Sequence, residues 1–145
     1  MALVLVVDDD PNVRQLLARA IRQEGHEVVE AESSDAALAA MARRAADVVF
    51  TDIQMPGRDG RWLALELRKR YPLTAIVLAT SVADLEPSTT LRFGVLSYLV
   101  KPFDLDAVRA ALKTAVAWRE ERAAAGAEAP QHDQLEAWLD SLEIP

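Results

Sequence analysis

The 145-residue chain predicts an α/β fold: a doubly wound, five-stranded parallel sheet with helices on both faces. Three observations carry this. Short apolar runs alternate with helix-like stretches five times along the chain. The first run is continuous in Leu, Val and Ala, as in a strand buried on both faces. Polar residues gather where the runs stop: Asp8, Asp9 and Asp10 after the first, Asp52 at the third, Thr80 after the fourth and Lys101 after the fifth.

Residues 2–7 are apolar and β-branched and read as a buried first strand. Asp10-Pro11 is a helix start, with Asp at the N-cap and Pro, which has no N–H to waste, at the first helical position. That helix runs to about Glu24 with Val13, Leu16, Leu17, Ala20 and Ile21 on one stripe, and Gly25 stops it. Residues 26–31 form a more polar strand, placed at an edge. Ser33 or Ser34 caps a second helix carrying Ala37, Leu38 and Met41. Residues 47–51 are the third strand, and a loop with Pro56 and Gly57 runs from Asp52 to Gly60. The next helix carries Trp62, Leu63, Leu65 and Leu67 and ends by Tyr71-Pro72. Residues 75–79 are the fourth strand. Residues 82–93 should be a helix but hold Pro87, Ser88, Thr89 and Thr90; an interior Pro costs about 3 kcal/mol, so a short or displaced helix is expected. Residues 96–100 are the fifth strand. Asp104 caps a long last helix with Leu105, Val108, Leu112, Ala115 and Val116 on one face.

This organisation gives one α/β domain over residues 1–123. A linker (124–130) follows, and then a short amphipathic helix within an acidic tail, with Leu135, Trp138, Leu139 and Leu142 on its stripe. The tail, 126–145, holds five acids and no Lys or Arg, which accounts for most of the formal net charge of -7. That charge argues against direct nucleic-acid binding, which needs clustered Lys and Arg. No cysteine is present, which excludes disulfides, thiolate metal sites and cysteine nucleophiles and fits a reducing compartment. No apolar run reaches the roughly 20 residues of a membrane span. A cytoplasmic location and no membrane partner are expected.

In a doubly wound sheet, ligands bind beyond the strand C-termini. Asp8, Asp9, Asp52, Thr80 and Lys101 therefore share one rim. Clustered carboxylates suit a hard cation such as Mg²⁺, which takes about six oxygens and keeps some waters. They would otherwise repel one another. A lysine ammonium can neutralise a phosphoryl oxygen, and a hydroxyl at Thr80 can donate to one. Each residue alone has a plainer explanation. Acids after strands often cap helices, as Asp10 does; Lys101 could be solvated, Thr80 a strand-end cap, and Tyr98 a half-buried aromatic.

Together the signals are far more specific. Val-Asp-Asp at the first strand, Asp-Ile-Gln-Met-Pro-Gly-Arg-Asp-Gly after the third, Thr-Ser after the fourth and Lys-Pro-Phe after the fifth occur in order. Over about residues 2–122 the chain resembles the receiver domain of bacterial two-component response regulators. The resemblance implies a flavodoxin-like sheet of order 2-1-3-4-5. It implies that Asp52 accepts a phosphoryl group from a histidine kinase or phosphotransfer protein. Mg²⁺ would be bound by Asp9, Asp52 and the Gln54 backbone carbonyl, and by Asp8 largely through water, while Lys101 and Mg²⁺ offset phosphoryl charge. Thr80 and Tyr98 would be the switch, altering a surface made by the segment after the fourth strand, the fifth strand and the last helix. A downstream output protein or domain, or a homodimer, would read that surface. Gln54 and Val82 would flank the dephosphorylating water; Val82 cannot orient one, so a long-lived phosphoryl group is expected. The chain would be no enzyme beyond its own phosphorylation and dephosphorylation.

Two features depart from the pattern: the poor helix around Pro87, which lies on the usual signalling face, and the acidic tail. Trp118 and Trp138 would pack there or mark a partner surface. Two rival readings differ in class. Asp8-x-Asp10 after a strand also fits a haloacid-dehalogenase-type phosphatase with Asp8 as nucleophile, but the further acidic motif and cap domain of that family are missing. A receiver-like binding module that is never phosphorylated would not need the intact set of acids, Thr80 and Lys101.

Overall fold

The computed structural model describes residues 1–80, 95–101 and 103–125, and of Thr80, Val95, Leu96, Ser97, Tyr98 and Ala125 the backbone alone. The expectations for residues 82–93 and for the tail, including Val82, Pro87 and Trp138, lie outside these residues.

The chain order is β1 (Leu3–Val7), α1 (Pro11–Gln23), β2 (Glu27–Ala31), α2 (Ser34–Arg43), β3 (Val48–Asp52), α3 (Gly60–Arg70), β4 (Ala75–Thr80), β5 (Val95–Val100) and α4 (Leu105–Ala125). The strands form one sheet in the order β2-β1-β3-β4-β5, all pairs parallel. Both the order and the edge position of β2 agree with the sequence reading.

Side chains alternate between the faces of each strand, so each strand feeds two cores. Leu3, Leu5, Val7, Val49, Ile76 and Leu78 face α2 and α3, where Met41, Leu63 and Leu67 are buried. Val4, Val6, Val48, Phe50 and Val77 face α1 and α4, where Leu17, Ile21, Val108 and Leu112 are buried. Burial on both faces explains why β1 is apolar throughout and why β3 up to Phe50 and β4 up to Ala79 are apolar, while β2 keeps Glu27 and Glu30 at the sheet edge.

Local chemistry sets the helix starts. The Asp10 carboxylate accepts from the Asn12 amide at 2.9 Å. Ser33, not Ser34, caps α2, accepting from Ala36 at 3.1 Å. The Ser34 hydroxyl instead donates to the carbonyl of Arg58 at 2.8 Å, tying α2 to the β3–α3 loop. Asp104 caps α4 through the Ala107 amide at 2.8 Å. At the end of α1, Gly25 takes a φ of +89°, a conformation costly for any residue with a Cβ.

Three details differ from the sequence reading. Leu16, assigned to the α1 stripe, is 46% exposed; the buried face is Leu17, Ala18, Ala20 and Ile21, about one residue further round. Leu105, placed on the buried face of the last helix, is 39% exposed because it sits at that helix's first position. α4 runs to Ala125, two residues into the segment read as linker, because Ala123, Ala124 and Ala125 are strong helix formers and Gly126 follows.

Candidate functional site

The site lies where β1, β3 and β5 end together. Val7 pairs with Thr51 across β1 and β3, so the residues after Val7 and at the end of β3 are neighbours. Asp8 continues the strand path: its amide donates to the Ala31 carbonyl at 3.2 Å. Its side chain is fully buried. One carboxylate oxygen accepts from the Asp10 amide at 2.9 Å, and the other lies 3.3 Å from the Lys101 ammonium. Asp52, also buried, accepts from the Gln54 amide at 3.0 Å through Oδ1 and from Lys101 at 3.0 Å through Oδ2. Lys101 therefore bridges two acids from two strands. Asp9 is exposed, and its carboxylate completes a cluster in which ligand oxygens of Asp8, Asp9 and Asp52 all lie within 4.8 Å of one another.

The electrostatics follow from this packing. Burial pushes the Asp8 carboxyl above its ordinary value of 3.8, against the pull of the Asp10 amide and the Lys101 charge; the Asp52 charge adds to the rise. For Lys101, burial acts to lower the pKa but is outweighed by the hydrogen bond and charge of Asp52 and then by Asp8, so its ammonium is held above 10.5. Among the described residues, Lys101 pairs with two of the three clustered carboxylates, which leaves the cluster short of positive charge. Two of the acids are buried, and all the donors are hard oxygens, so the set fits a small divalent cation such as Mg²⁺.

Gly60 holds the far wall. A Cβ there would stand 2.0 Å from the Asp52 carbonyl oxygen, so only glycine lets α3 start against the end of β3. The Asp59 carboxylate caps α3 by accepting from Arg61 at 3.0 Å and Trp62 at 3.1 Å, and the Gly60 amide donates to Ile53 at 2.9 Å. Gly57 turns the loop with a φ of +76°. Sequence reasoning placed this loop but did not single out Asp59 as a cap or Gly60 as a contact. The Asp-Gly pair before an apolar periodic run was the available signal.

The family model of the response regulator receiver domain matches residues 4–113, about three-quarters of the chain. The chain belongs to the response regulator receiver family. It is 35% identical over 121 residues to the DNA-binding transcriptional regulator NtrC of Salmonella typhimurium, an alignment covering 83% of this chain and 26% of that protein. The chain thus spans about a quarter of the length of the curated relatives it matches. Among solved structures, it resembles the receiver domain of NtrX from Brucella abortus (34% identity, TM-score 0.72, covering 79% of this chain and 98% of that one). It also resembles the response regulator TrrA of Thermotoga maritima, solved in complex with Mg²⁺-BeF (35% identity, TM-score 0.70, covering 79% and 99%).

In this receiver, the sequence-predicted Asp8, Asp9, Asp52 and Lys101 converge, and the Gln54 backbone adjoins the Asp52 carboxylate. Thr80 ends β4 with its backbone in register with Val100, and Tyr98 is in register with Leu78. The side chains of this expected switch pair lie outside the described residues, as do Val82 and the weak segment at Pro87. Asp10 is a helix cap, as expected. Among the described residues, no helix is long and apolar enough to cross a membrane.

Proposed function

We propose that this receiver takes a phosphoryl group onto Asp52 from a histidine kinase or phosphotransfer protein in a Mg²⁺-dependent reaction. The observation that carries the reading is Lys101 shared between Asp8 and Asp52, with Asp9 completing a three-carboxylate cluster at the strand ends.

Both Asp8 and Asp52 are held by an amide and by Lys101, but Asp8 is fully buried while Asp52 keeps some exposure and lies nearer the ammonium (3.0 against 3.3 Å), which supports Asp52 as the acceptor. The Gln54 amide fixes Oδ1 and the Lys101 ammonium holds Oδ2, so the carboxylate keeps one rotation. An Asp52 oxygen attacks phosphorus, the phosphorus–nitrogen bond of the donor's phosphohistidine breaks, and the imidazole keeps the electron pair. Lys101 stands ready to stabilise charge gathering on the phosphoryl oxygens. Asp8, Asp9, Asp52 and the Gln54 carbonyl would hold Mg²⁺, which when bound neutralises negative charge on the phosphoryl group. Asp8, held by Lys101 and the Asp10 amide, would act on the ion largely through water.

Thr80 and Tyr98 carry the switch in this reading: the Thr80 hydroxyl moves to the phosphoryl group and Tyr98 turns inward. The placement of Thr80 at the C-terminal end of β4, next to the end of β3, supports it. The changed surface is read by an output domain or partner in the cytoplasm, or by a second copy. NtrC is described as DNA-binding; the net charge of -7 supports the reading that the present chain does not itself contact nucleic acid. Beyond its own phosphorylation and dephosphorylation, the receiver catalyses nothing.

The test is intact mass after incubation with Mg²⁺ and acetyl phosphate. The expected result is a gain of one phosphoryl group, absent with EDTA and absent in Asp52→Asn. No gain in the wild type refutes the reading.

A further inference from the structure

We propose that Arg14 is a positioning residue for the metal-binding acid Asp9, acting through the Asp8 carbonyl. The inference rests on the reading above that Asp8, Asp9 and Asp52 hold Mg²⁺.

Asp9 is the exposed member of the acid cluster, and among the described residues no hydrogen bond or ion pair holds its carboxylate. Its place therefore depends on its backbone. That backbone is fixed from the preceding residue. The Asp8 amide is bound to Ala31 at 3.2 Å, and the Asp8 carbonyl accepts from Nη1 of Arg14 at 2.8 Å. The peptide group joining Asp8 to Asp9 is planar, so pinning the Asp8 carbonyl oxygen also orients the Asp9 amide and sets the Asp9 Cα. On the far side, the Asp10 amide is bound to the Asp8 carboxylate at 2.9 Å. Asp9 is thus suspended between two anchored peptides, and Arg14 holds one of them.

Arg14 is itself held. Its Nε donates to Glu30 on β2 at 3.3 Å, and Arg22 lies 3.7 Å from the other Glu30 oxygen. The Arg14 side chain is only 17% exposed. One guanidinium therefore links the edge strand to the end of β1. A planar fork can bind the carbonyl and the carboxylate together; a lysine ammonium is a point donor on a flexible stem and holds such a pair less firmly.

Two effects of Arg14 on a cation have opposite signs. Its positive charge opposes a nearby cation, so if charge dominated, removing it would tighten Mg²⁺ binding. Glu30 at 3.3 Å offsets much of that charge. Its grip on the Asp8 carbonyl holds Asp9 in the cluster, so if positioning dominates, removing it weakens binding. Partners that orient metal ligands commonly matter by about 10- to 100-fold in affinity, which favours the second effect.

The test is Mg²⁺ titration by calorimetry on the full chain, comparing wild type with Arg14→Met, Arg14→Lys, Glu30→Gln, Asp9→Asn and the Arg14→Met/Asp9→Asn double variant. The wild type should bind, Arg14→Met should bind about 10-fold more weakly, and Arg14→Lys should fall between them. Adding Arg14→Met to Asp9→Asn should weaken binding little further, because Arg14 acts through Asp9. A merely structural role would instead give additive losses. Equal or tighter binding by Arg14→Met, or additive losses in the double variant, overturns the proposal. Should Arg14→Met not fold, Glu30→Gln, which leaves Arg14 in place but loosens it, must still weaken binding measurably; unchanged affinity there overturns the proposal. A wild type that binds no Mg²⁺ overturns the metal reading, and this inference with it.

Discussion

Replacing Lys101 with Met removes the single ammonium between two buried carboxylates, which lie 3.3 Å (Asp8) and 3.0 Å (Asp52) from it. At an effective dielectric of about 20, each contact is worth about 5 kcal/mol gross, and desolvation of the ammonium cancels much of this. Breaking a fully buried pair costs about 3–5 kcal/mol, because a charge is left uncompensated. Lys101 is about a quarter exposed, so solvent screens part of the effect, and the expected loss in Lys101→Met is about 2 kcal/mol at pH 7 without Mg²⁺. The pH dependence sharpens the test. The Asp8 pKa is raised in the fold, so its protonation favours the folded state; that contribution is full below about 3.8 and lost as pH rises through the folded value. Without the Lys101 charge the Asp8 pKa climbs further, so the deficit of the variant should shrink as pH falls from 7 towards 4. At the other extreme, Lys101 contributes stability that is full below 10.5 and lost as pH rises through its raised folded value. The wild type should therefore lose stability there while the variant has none of this step to lose. Urea unfolding in EDTA across this pH range measures all three regimes. A deficit independent of pH, or no deficit at pH 7, would refute the charge bridge.

Other outcomes follow from the same packing. Asp8→Asn should raise stability in EDTA at pH 7 by about 1 kcal/mol, because a buried carboxylate costs more to ionise than an amide to bury, with the gain fading at low pH; urea midpoints check it. Gly60→Ala should cost about 3 kcal/mol or more, since its Cβ meets a backbone carbonyl rather than a movable side chain; melting curves and the Mg²⁺ titration should both move. Arg68→Leu should cost about 2–3 kcal/mol, because it leaves the carbonyls of Pro72 and Thr74, the latter 2.7 Å from the buried guanidinium, without their donor; thermal unfolding reads the loss.

The sheet was legible because five short strand-like runs alternate with helix-like stretches, and the rim because Asp8, Asp9, Asp52 and Lys101 each stand at a strand end. The caps at Asp10, Ser33 and Asp104 were equally local signals. What could not be read depends on approach in space. Gly60 is required only because the Asp52 carbonyl comes within 2.0 Å of its missing Cβ. Arg14 reads as a surface residue of α1 until β2 brings Glu30 beside it and β1 ends under it. Leu16 shares a helical stripe with Leu17 in the sequence, yet the face that meets the sheet is turned enough to leave it exposed. Trp118, read as packing or marking a partner surface, faces two guanidinium groups, Arg68 at 5.9 Å and Arg122 at 5.1 Å. Arg14 with Glu30 and Arg68 with Trp118 join residues distant in the chain, and no local pattern encodes such contacts.

The central claim is that Asp52, rather than Asp8 or Asp9, carries the phosphoryl group. Borohydride reduction of the phosphorylated chain converts an aspartyl phosphate to homoserine, and peptide mapping then locates it. The account predicts homoserine at position 52 alone, with none in a sample treated in EDTA. Homoserine at position 8, as a phosphatase nucleophile would leave, or at any other acid, would contradict it.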